Sequence, residues 1–477
     1  MKTLGELLRG VDVVAGGLHA ALRIADVRDD SRQVGRGDLF VAVCGLTVDG
    51  HDFVDIARAR GAAMVVVERD VGAPCVVVPD AAKALAQIAA NLHGRPTDAM
   101  TLVGVTGTNG KTTITYLVEA LLLAAGRQPG VIGTVEYRSP RGSRPSPFTT
   151  PTPLLLQSLL AEMRDEGCTH VVMECSSHAL ASGRLEAVGF SVAAFTNLTQ
   201  DHLDFHGTME AYATEKARLF SERLRADGVA VVNLESAAAE RMAAGARGRV
   251  LRVGGAGEVR VIERVDDSGG MALRVAVPGD ELRFHSPLVG AFNVENLLVA
   301  IGIGLALGLT SDVIATALSS ATGAPGRLER VGTRPACYVD YAHTPDALER
   351  ALAVLRPTTA GKLWVVFGCG GDRDRGKRPV MGRIAESGAD HVVVTSDNPR
   401  TEDAAAILAQ IVSGMVAPPF AVIEPRREAI SEAVLAMAED DTLLVAGKGH
   451  EDYQIVGTQK SHFDDREEVR AALQRRR

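Results

Sequence analysis

"TLVGVTGTNGKTTITYLVEALLLAAG", residues 101–126, joins an apolar strand pattern to a helix pattern through a glycine-rich turn. In such a turn, backbone N–H groups and the N-terminus of the helix can cradle phosphates. Gly107 and Gly110 would let the backbone approach a phosphate closely. Lys111 would reach the β and γ phosphates, and Thr112 would bind Mg²⁺. The stretch therefore predicts an α/β domain that binds a nucleotide.

The turn departs from the eight-residue Walker pattern, because Val105 occupies the position of its first glycine. A Gly-Lys-Thr sequence after a strand could also be an ordinary turn. The strand before it and the helix after it favour a phosphate loop over that alternative.

Bulk properties exclude several classes of protein. A chain of 477 residues is long enough for two to four domains. A formal net charge of −8 argues against nucleic acid or an anionic membrane as a partner. The amino terminus lacks a signal-type apolar core, and the most apolar stretch, 296–309, is too short to span a bilayer. We therefore expect a soluble cytoplasmic protein.

The cysteines point to the same compartment. They show no close pairs with metal-ligand spacing, and most lie in apolar runs: Cys44, Cys75, Cys168, Cys175, Cys337 and Cys369. We expect buried, reduced thiols of a cytosolic protein.

Strand and helix patterns predict an α/β protein of three domains. Short β-rich runs alternate with helical patterns from about residue 20 to 95, which indicates a small amino-terminal α/β domain. From residue 101, strands and helices follow in the βαβ order of a mostly parallel sheet. Alternating strands with turn signals at 249–285 predict a small antiparallel patch within this central domain.

A third α/β unit begins after residues 323–332. Polar, glycine-rich loops follow its strands, as expected of a Rossmann-like domain that binds a ligand. The expected domains are therefore 1–97, 98–328 and 329–477. The stretch rich in Pro, Arg and Ser at 138–147 is expected to be a mobile loop.

Three further features follow strands or lie on a helix of the central domain. Glu174 ends an apolar strand, so a metal ion or a basic partner is expected, with a simple salt bridge as the alternative. The run 196–207 offers Asp and His side chains that could bind a cation, or could form a hydrogen-bonded loop. Lys216 lies in a helical pattern, where spacing alone indicates a solvated surface lysine.

The strand "VVTS" at 393–396 runs into Asp397, Asn398, Pro399 and Arg400. Proline ends the strand and leaves a charged guanidinium at its carboxyl end. Ligands bind at that edge in open α/β sheets, so the arginine is expected to meet an anion or a carboxylate. A structural ion pair with Glu402 is the alternative.

Taken together in their order, the motifs closely resemble those of the Mur ligase family of peptidoglycan precursor synthesis. The resemblance covers essentially the whole chain and rests on "DSRQVGRGDLFVAVCG", "GTNGKTT", "ECSSHAL", "TNLTQDHLDFHG", "GAFNVENLLVA", "PGRLE", "DYAHTPDAL", "FGCGGDRDRGKRP", "DNPR" and "GKGHEDYQ". The shorter loop is this family's own form of the Walker motif.

The resemblance implies an ATP-dependent acid–amino-acid ligase that acts in cell-wall biogenesis, and hence in cell shape and division. Its motifs match the members that add the third amino acid. They imply addition of meso-2,6-diaminopimelate to the D-glutamate γ-carboxylate of UDP-N-acetylmuramoyl-L-alanyl-D-glutamate through an acyl phosphate. The substrates are small molecules, and a monomer is expected.

For ATP and its metal ions, the resemblance assigns a set of residues. The ATP contacts would be Gly107, Thr108, Asn109, Gly110, Lys111, Thr112, Thr113, Asn293, Asn296, Arg327 and Asp340. Thr112 and Glu174 would bind one Mg²⁺, and His202 would bind a second. Lys216 resembles the lysine that CO₂ converts to a carbamate, an anionic metal ligand. The catalytic residues would be Lys111, Lys216, Glu174 and His202.

The substrates are assigned in the same way. The UDP part would meet Asp30, Ser31 and Arg32 with Gly45 and Asp49 of the amino-terminal domain. The muramoyl-dipeptide contacts would be Ser31, Thr149, Thr150, Ser176, Ser182 and Arg184. Some relatives carry glutamine where this chain has Ser182, which puts that contact in doubt. The diaminopimelate contacts would be Arg373, Asp397, Asn398, Pro399, Arg400, Gly447 and Glu451. Arg400 would select the distal carboxylate, and Glu451 would pair with the distal ammonium.

Three alternatives remain open from the sequence. A folylpolyglutamate-synthase-like ligase shares the phosphate loop but would not need the amino-terminal domain or the "DNPR" arginine. A lysine-adding enzyme of the same type would use the same nucleotide chemistry. A non-catalytic nucleotide-binding regulator would leave Lys216, Glu174 and His202 without a common purpose.

Overall fold

The computed structural model describes residues 1–16, 19–45, 48–267 and 269–476. The chain forms two compact units. The first comprises Met1–Arg260 and Leu298–Ile314, and the second comprises Val261–Leu297 and Ala315–Arg477.

The amino-terminal part of the first unit contains a five-stranded sheet, counted over its described residues. Its spatial order is Ala15–Gly16, Cys75–Val77, Met64–Val67, Leu39–Val41 and Val27–Arg28. All pairs are parallel except the first. A short antiparallel pair, Lys2–Thr3 with Arg23–Ile24, lies beside it. The α-helices are Leu4–Leu7, Val54–Ala59 and Ala81–Leu92. Because both faces of the sheet carry buried apolar side chains, this part has a core of its own.

A larger sheet follows in the same unit, with eight strands among the described residues. Its spatial order is Gly142–Pro145, Glu136–Ser139, Pro129–Ile132, His170–Glu174, Thr101–Thr106, Phe190–Phe195, Leu224–Asn233 and Arg249–Val253. The strands from Pro129–Ile132 onward are parallel, as the βαβ order predicts. The α-helices of this part are Lys111–Ala124, Pro153–Asp165, Ser177–Ala181, Leu203–His206, Met209–Arg218 and Ala239–Ala244.

Two local predictions for this part were wrong. The stretch 138–147 is largely an antiparallel hairpin that extends the sheet edge, because Arg138 is bound by Glu119 on the neighbouring helix and stacks on Tyr116. The strand Arg249–Val253 pairs in parallel with Leu224–Asn233 and does not belong to the antiparallel patch. An edge strand of a parallel sheet has a partly exposed face, so its sequence alternates like that of an antiparallel strand.

The antiparallel patch itself is confirmed. Three strands form it among the described residues, in the order Arg260–Asp267, Gly270–Val277 and Asp280–Ser286. The helices Ala291–Ala306 and Ser311–Ser320 follow it along the chain.

The carboxyl-terminal sheet has six strands in the part of the second unit that is described. Its order is Glu329–Thr333, Ala336–Asp340, Thr442–Ala446, Leu363–Phe367, His391–Thr395 and Ala421–Ile423. All pairs but the first are parallel, and apolar clusters cover both faces. The helices are Pro345–Leu355, Lys377–Gly388, Ala404–Val412, Arg426–Ala436 and Asp465–Arg476, and a hairpin joins Tyr453–Val456 to Gln459–His462. The predicted strands and α/β class are confirmed.

Two bulk predictions also have outcomes. Five of the cysteines are buried and none forms a disulfide, but Cys44 is exposed, because it lies in a loop beyond the strand Leu39–Val41. Across the described ranges, the helices are too short or too polar for any of them to cross a bilayer.

Candidate active site

The loop between Thr101–Thr106 and Lys111–Ala124 is held tightly against the neighbouring strand end. Gly107 has a φ of +146°, and a Cβ built on it would lie only 1.8 Å from Oγ1 of Thr196. The backbone N–H groups of Thr108 and Asn109 donate to the carbonyl and the side chain of Asn197, each at 2.9 Å. Glycine is therefore required at 107 by packing against Thr196, and the close approach of a phosphate to this backbone stays a prediction.

Two lysines converge on one carbonyl of this loop. Lys111 Nζ donates to the carbonyl oxygens of Gly107 at 2.9 Å and Thr108 at 2.8 Å. Lys216 Nζ donates to the Gly107 oxygen at 2.8 Å, although 109 positions separate them in sequence. Lys216 is 1% exposed, so the expectation of a solvated surface lysine was wrong. Packing of its helix beneath the loop buries it.

The surroundings of Lys216 disfavour its charge. Its Nζ lies 4.4 Å from the centre of the Tyr212 ring, and the Tyr212 hydroxyl lies 3.2 Å from Thr108 Oγ1. Among the described residues no carboxylate lies within 4 Å of this ammonium. Burial, with Lys111 adding to it, holds the pKa of Lys216 well below its usual value.

Glu174 ends its strand beside the phosphate loop, paired in register with Val105. It is 1% exposed, and its carboxylate accepts hydrogen bonds from Thr134 N at 2.8 Å and Thr134 Oγ1 at 3.1 Å. These donors are uncharged, so the salt bridge considered for Glu174 is not formed with any described residue. A buried carboxylate that has only neutral donors can still accept a cation.

Two histidines that follow the strand Phe190–Phe195, His202 and His206, cluster with His178 of the helix Ser177–Ala181. The His202 ring lies 4.7 Å from that of His178, which in turn lies 5.5 Å from that of His206. His202 has a φ of +52°, and its Nε2 lies 3.4 Å from Oδ2 of Asp201. Nε2 of His206 is hydrogen-bonded to Oγ of Ser177 at 2.9 Å. Burial lowers the pKa values of His178 and His206, so both favour the neutral form that binds metals.

No three His, Cys, Asp or Glu side chains within the described ranges form a ready-made metal cage. This arrangement fits Mg²⁺, which usually keeps several waters and takes one or two carboxylates together with substrate phosphates. Glu174 supplies such a carboxylate, and Thr112 lies in the first turn of the helix Lys111–Ala124 that follows the loop. Thr112, Glu174, His202 and Lys216 remain the predicted ligand set.

Most predicted dipeptide contacts lie in one hydrogen-bond network. Thr150 Oγ1 donates to the Glu174 carbonyl at 2.8 Å and accepts from Ser176 N at 3.0 Å. Arg184 donates to the Thr150 carbonyl at 3.0 Å, and Thr149 joins through Thr134 at 3.1 Å.

Two of the predicted dipeptide residues lie outside this network. Ser182 Oγ donates to the His178 carbonyl of its own helix at 2.7 Å. Ser31 lies in the 3₁₀ helix Ser31–Gln33 of the amino-terminal part.

Four predicted ATP contacts belong to the second unit and form two pairs. Asn296 donates to the side chain of Asn293 at 3.0 Å, and Asn293 donates to the Val289 carbonyl at 2.9 Å. Asp340 accepts from Leu328 N at 2.7 Å, and the Arg327 guanidinium lies 5.0 Å from the Tyr341 ring. Arg327 Nε is buried and has no hydrogen-bond partner among the described residues. A bound nucleotide could supply the acceptor that this group lacks.

The predicted diaminopimelate contacts follow three neighbouring parallel strands of the carboxyl-terminal sheet. Asn398 is their centre: its Nδ2 donates to Glu451 at 3.0 Å, while its Oδ1 accepts from Lys448 Nζ and Ile455 N, each at 2.9 Å. A Cβ on Gly447 would lie 2.6 Å from Asp397 Oδ2. Burial, with Asp397 adding to it, raises the pKa of Glu451.

Two predicted arginines approach the same glycine. A Cβ on Gly370 would lie 3.0 Å from Nη1 of Arg400 and 3.8 Å from Cγ of Arg373. Arg400 Nη1 donates to the Gly371 carbonyl at 2.8 Å, and its backbone, at a φ of +51°, is bonded to Ile455 and Gly457.

The alternative of an ion pair between Arg400 and Glu402 is wrong. Glu402 binds Arg378 at 2.9 Å and Arg375 at 3.1 Å, and the Arg378 bond lowers its pKa to about 2. Arg400 has no ion pair with any residue that the structure describes. A guanidinium left without an acid at the strand ends can receive a carboxylate.

Sequence reasoning missed three residues that organise these regions: Thr134, Tyr212 and Lys448. Lys448 stood within the quoted "GKGHE" motif, so the motif could have indicated it. No local pattern marks Thr134 or Tyr212, because their partners are distant in sequence.

The three α/β sheets and the phosphate loop are typical of a multidomain nucleotide-binding enzyme, and three family models match the sequence. They are "Mur ligase family, catalytic domain" at residues 23–93, "Mur ligase middle domain" at 105–304 and "Mur ligase, glutamate ligase domain" at 326–449. The chain belongs to the Mur ligase family.

Comparison with individual proteins shows which ligases this chain is similar to. The chain is 46% identical to the UDP-N-acetylmuramoyl-L-alanyl-D-glutamate--2,6-diaminopimelate ligase of Geobacter metallireducens, over 98% of each chain. A solved structure of a ligase with that name is 34% identical, with a TM-score of 0.76 over 100% of this chain and 99% of the other. A Mycobacterium tuberculosis folylpolyglutamate synthase complexed with ADP and AMPPCP shares the fold alone, at 21% identity and a TM-score of 0.61 over 76% and 92%.

Proposed function

We propose that this protein adds meso-2,6-diaminopimelate to the D-glutamate γ-carboxylate of UDP-N-acetylmuramoyl-L-alanyl-D-glutamate, with ATP as the energy source. The observation that carries the proposal is Arg400, a guanidinium without an acidic partner among the described residues, two positions after Asn398, whose side chain donates to Glu451. Diaminopimelate ends in a second carboxylate and ammonium, which these groups match in charge. The relatives that cover the whole chain carry this activity in their names.

ATP is assigned first to the phosphate loop. Backbone N–H groups of residues 107–113 and Lys111 would hold the phosphates, and Lys111 would exchange its loop carbonyls for phosphate oxygens. Thr112 and Glu174 would hold one Mg²⁺ and His202 a second; bound there, Mg²⁺ would neutralise phosphate charge. Asn293, Asn296, Arg327 and Asp340 of the second unit are assigned to the same nucleotide on the family resemblance.

Lys216 is assigned as a carbamate site. An amine adds to CO₂ only when it is uncharged, and the lowered pKa supplies that form. The ammonium first loses one proton to give the neutral amine, and the amine nitrogen then forms a bond to the carbon of CO₂ and releases a second proton. The overall change from cation to carbamate anion therefore releases two protons. Position 216 would then carry a carbamate that could bind Mg²⁺, instead of an ammonium that repels Lys111.

The reaction would proceed in two transfers. A γ-carboxylate oxygen attacks the γ-phosphorus of ATP, and the bond from that phosphorus to the β-phosphate oxygen breaks. The products are ADP and the acyl phosphate of the γ-carboxylate. The amine of diaminopimelate then attacks the acyl carbon, loses its proton, and expels inorganic phosphate. Thr149, Thr150, Ser176 and Arg184 would orient the dipeptide, because Thr150 and Ser176 are fixed to the Glu174 backbone.

Phosphate release tests the proposal directly. The protein is supplied with ATP and UDP-N-acetylmuramoyl-L-alanyl-D-glutamate, and diaminopimelate is compared with lysine. Release that requires diaminopimelate supports the proposal, and a preference for lysine supports a lysine-adding enzyme. Release with a folate and glutamate would indicate a folylpolyglutamate synthase, and no release would favour a nucleotide-binding regulator.

The domain division and setting belong to the same proposal. Residues 1–97 would bind the UDP substrate, 98–328 would bind ATP, and 329–477 would bind the amino acid. The occurrence of a separate sheet in each segment supports this division. A monomer in the cytoplasm, where ATP and nucleotide-linked precursors are available, fits these substrates.

A further inference from the structure

Lys448 is a fully buried cation that the proposed reaction does not use. It is 0% exposed, and its Nζ donates to Asn398 Oδ1 at 2.9 Å and to the Tyr453 carbonyl at 2.7 Å. Asp397 and Glu451 lie 3.7 and 3.9 Å from the same nitrogen. One ammonium thus touches the loop after His391–Thr395, the loop after Thr442–Ala446 and the hairpin that begins at Tyr453.

We infer that Lys448 is a positioning residue that sets selectivity for the distal ammonium of the amino acid. The inference rests on the proposed function. Lys448 and Ile455 N occupy the oxygen of the Asn398 amide, so its nitrogen must face Glu451. Glu451 is thereby held where a substrate ammonium would meet it.

Lys448 also keeps this region at a charge that suits a zwitterionic substrate. Asp397 and Glu451 together carry two negative charges, and Lys448 cancels one of them. Without it, the buried Asp397 and the partly buried Glu451 would repel each other, and the pKa of Glu451, already raised by burial and Asp397, would rise further. A protonated Glu451 would no longer attract an ammonium.

The hairpin connects this cation to the arginine that would read the distal carboxylate. Arg400 N donates to the Ile455 carbonyl at 3.2 Å, and Gly457 N donates to the Arg400 carbonyl at 2.7 Å. Lys448 anchors the first residue of that hairpin, Tyr453. It therefore supports both recognition groups, Glu451 directly and Arg400 through the hairpin.

The test uses the full-length Lys448→Met variant and two substrates, meso-diaminopimelate and 2-aminopimelate, which lacks only the distal amino group. We expect kcat/KM for diaminopimelate to fall by about 10- to 100-fold. The preference for diaminopimelate over 2-aminopimelate should be largely lost, and KM for ATP should change little. A structural role alone would weaken both amino acids equally and leave the preference unchanged, which would overturn the inference.

Val434→Ala is the matched control, because Val434 is fully buried in the same unit and its side chain packs among apolar side chains. It should lower stability without changing the preference. If Lys448→Met is too unstable for kinetics, hydrogen exchange without substrate decides: residues 453–462 should exchange faster than in Val434→Ala, and equal rates would overturn the inference. Wild-type protein inactive with diaminopimelate would refute the proposed function, whereas the exchange result would still judge the role of Lys448.

Discussion

Lys216 and Lys448 are both buried almost completely, one beside the phosphate loop and the other at the edge of the carboxyl-terminal sheet, but their partners differ. Lys216 contacts one carbonyl and an aromatic ring, and the nearest cation, Lys111, shares that carbonyl. Lys448 has two acceptors and two carboxylates around it. Burial lowers both pKa values, but only at Lys448 do nearby acids oppose the shift strongly.

The difference indicates two uses for a buried amine. An amine without acids nearby is inclined to lose its proton and can react with CO₂. An amine surrounded by acids and carbonyls holds those groups together as a cation. Four experiments test the contrast between the phosphate-loop region and the amino-acid region, and a fifth tests a predicted dipeptide contact outside both.

The largest effect is expected for Lys216→Ala. Turnover should fall by about 10³-fold or more, because the anion expected at this position would be missing. Acetate should restore part of the rate by occupying the vacated space, which a phosphate-release assay with increasing acetate measures. Acetate should not rescue Lys111→Ala, since that variant lacks a cation. Full activity of wild-type protein in bicarbonate-depleted buffer would contradict the carbamate.

Replacing each buried lysine by methionine should change stability in opposite directions. Lys448→Met should lower the free energy of unfolding by about 3 kcal/mol, since it leaves the buried Asp397 and the partly buried Glu451 without their shared cation. Lys216→Met should raise it by about 1 kcal/mol, because it removes a buried ammonium that has no acidic partner among the described residues, while Lys111 still binds the Gly107 carbonyl. Denaturant unfolding at pH 7 in bicarbonate-free buffer measures both.

The pH dependence of stability tests independently whether Lys216 destabilises the folded protein. The folded-state pKa of Lys216 is lowered below 10.5, so the unfolded chain binds more protons between those two pKa values. Wild-type stability should therefore rise with pH across that window, and the advantage of Lys216→Met should shrink toward pH 10.5. An advantage that stays constant with pH would mean that the amine is not desolvated.

Arg400→Ala should act on the amino acid alone. Loss of a buried bidentate carboxylate contact costs roughly 2 to 5 kcal/mol, so KM for diaminopimelate should rise by about 30-fold or more. KM for ATP should stay nearly unchanged. Arg427→Ala is the control, because Arg427 is exposed and its ion pair with Glu468 joins the helices Arg426–Ala436 and Asp465–Arg476. Equal increases for both substrates would assign Arg400 to folding.

The smallest effect is expected for Ser182→Gln. Ser182 bonds only its own helix and is exposed, so KM for the UDP-linked dipeptide should change by less than about threefold. Steady-state kinetics with varied dipeptide measures this change. A tenfold decrease in KM would show that position 182 contacts substrate after all.

The positions of the phosphate loop and of Arg400 at strand ends could be predicted from sequence, because each depends on a few consecutive residues. Gly107, Lys111 and Arg400 each follow a strand within a few residues, and parallel strands bring such loops to one sheet edge. The family resemblance then ordered the domains and was confirmed by the family models.

The remaining features depend on contacts between distant residues. Lys216 is buried by a loop 109 positions away, and Lys448 by an asparagine 50 positions away, so spacing indicates neither environment. The hairpin at 138–147 was misjudged from its Pro, Arg and Ser content, because the partners of Arg138 lie on a helix. Composition describes solvation on average and cannot identify individual partners.

The left-handed backbone at Arg400 affects how amino-acid preference could be altered. A φ of +51° is uncommon for arginine but is readily adopted by asparagine and glycine. Replacing the guanidinium with either residue would relieve local strain instead of adding to it. Such a replacement would therefore weaken binding of diaminopimelate without destabilising the backbone at this position. This combination makes residue 400 a favourable starting point for altering amino-acid specificity.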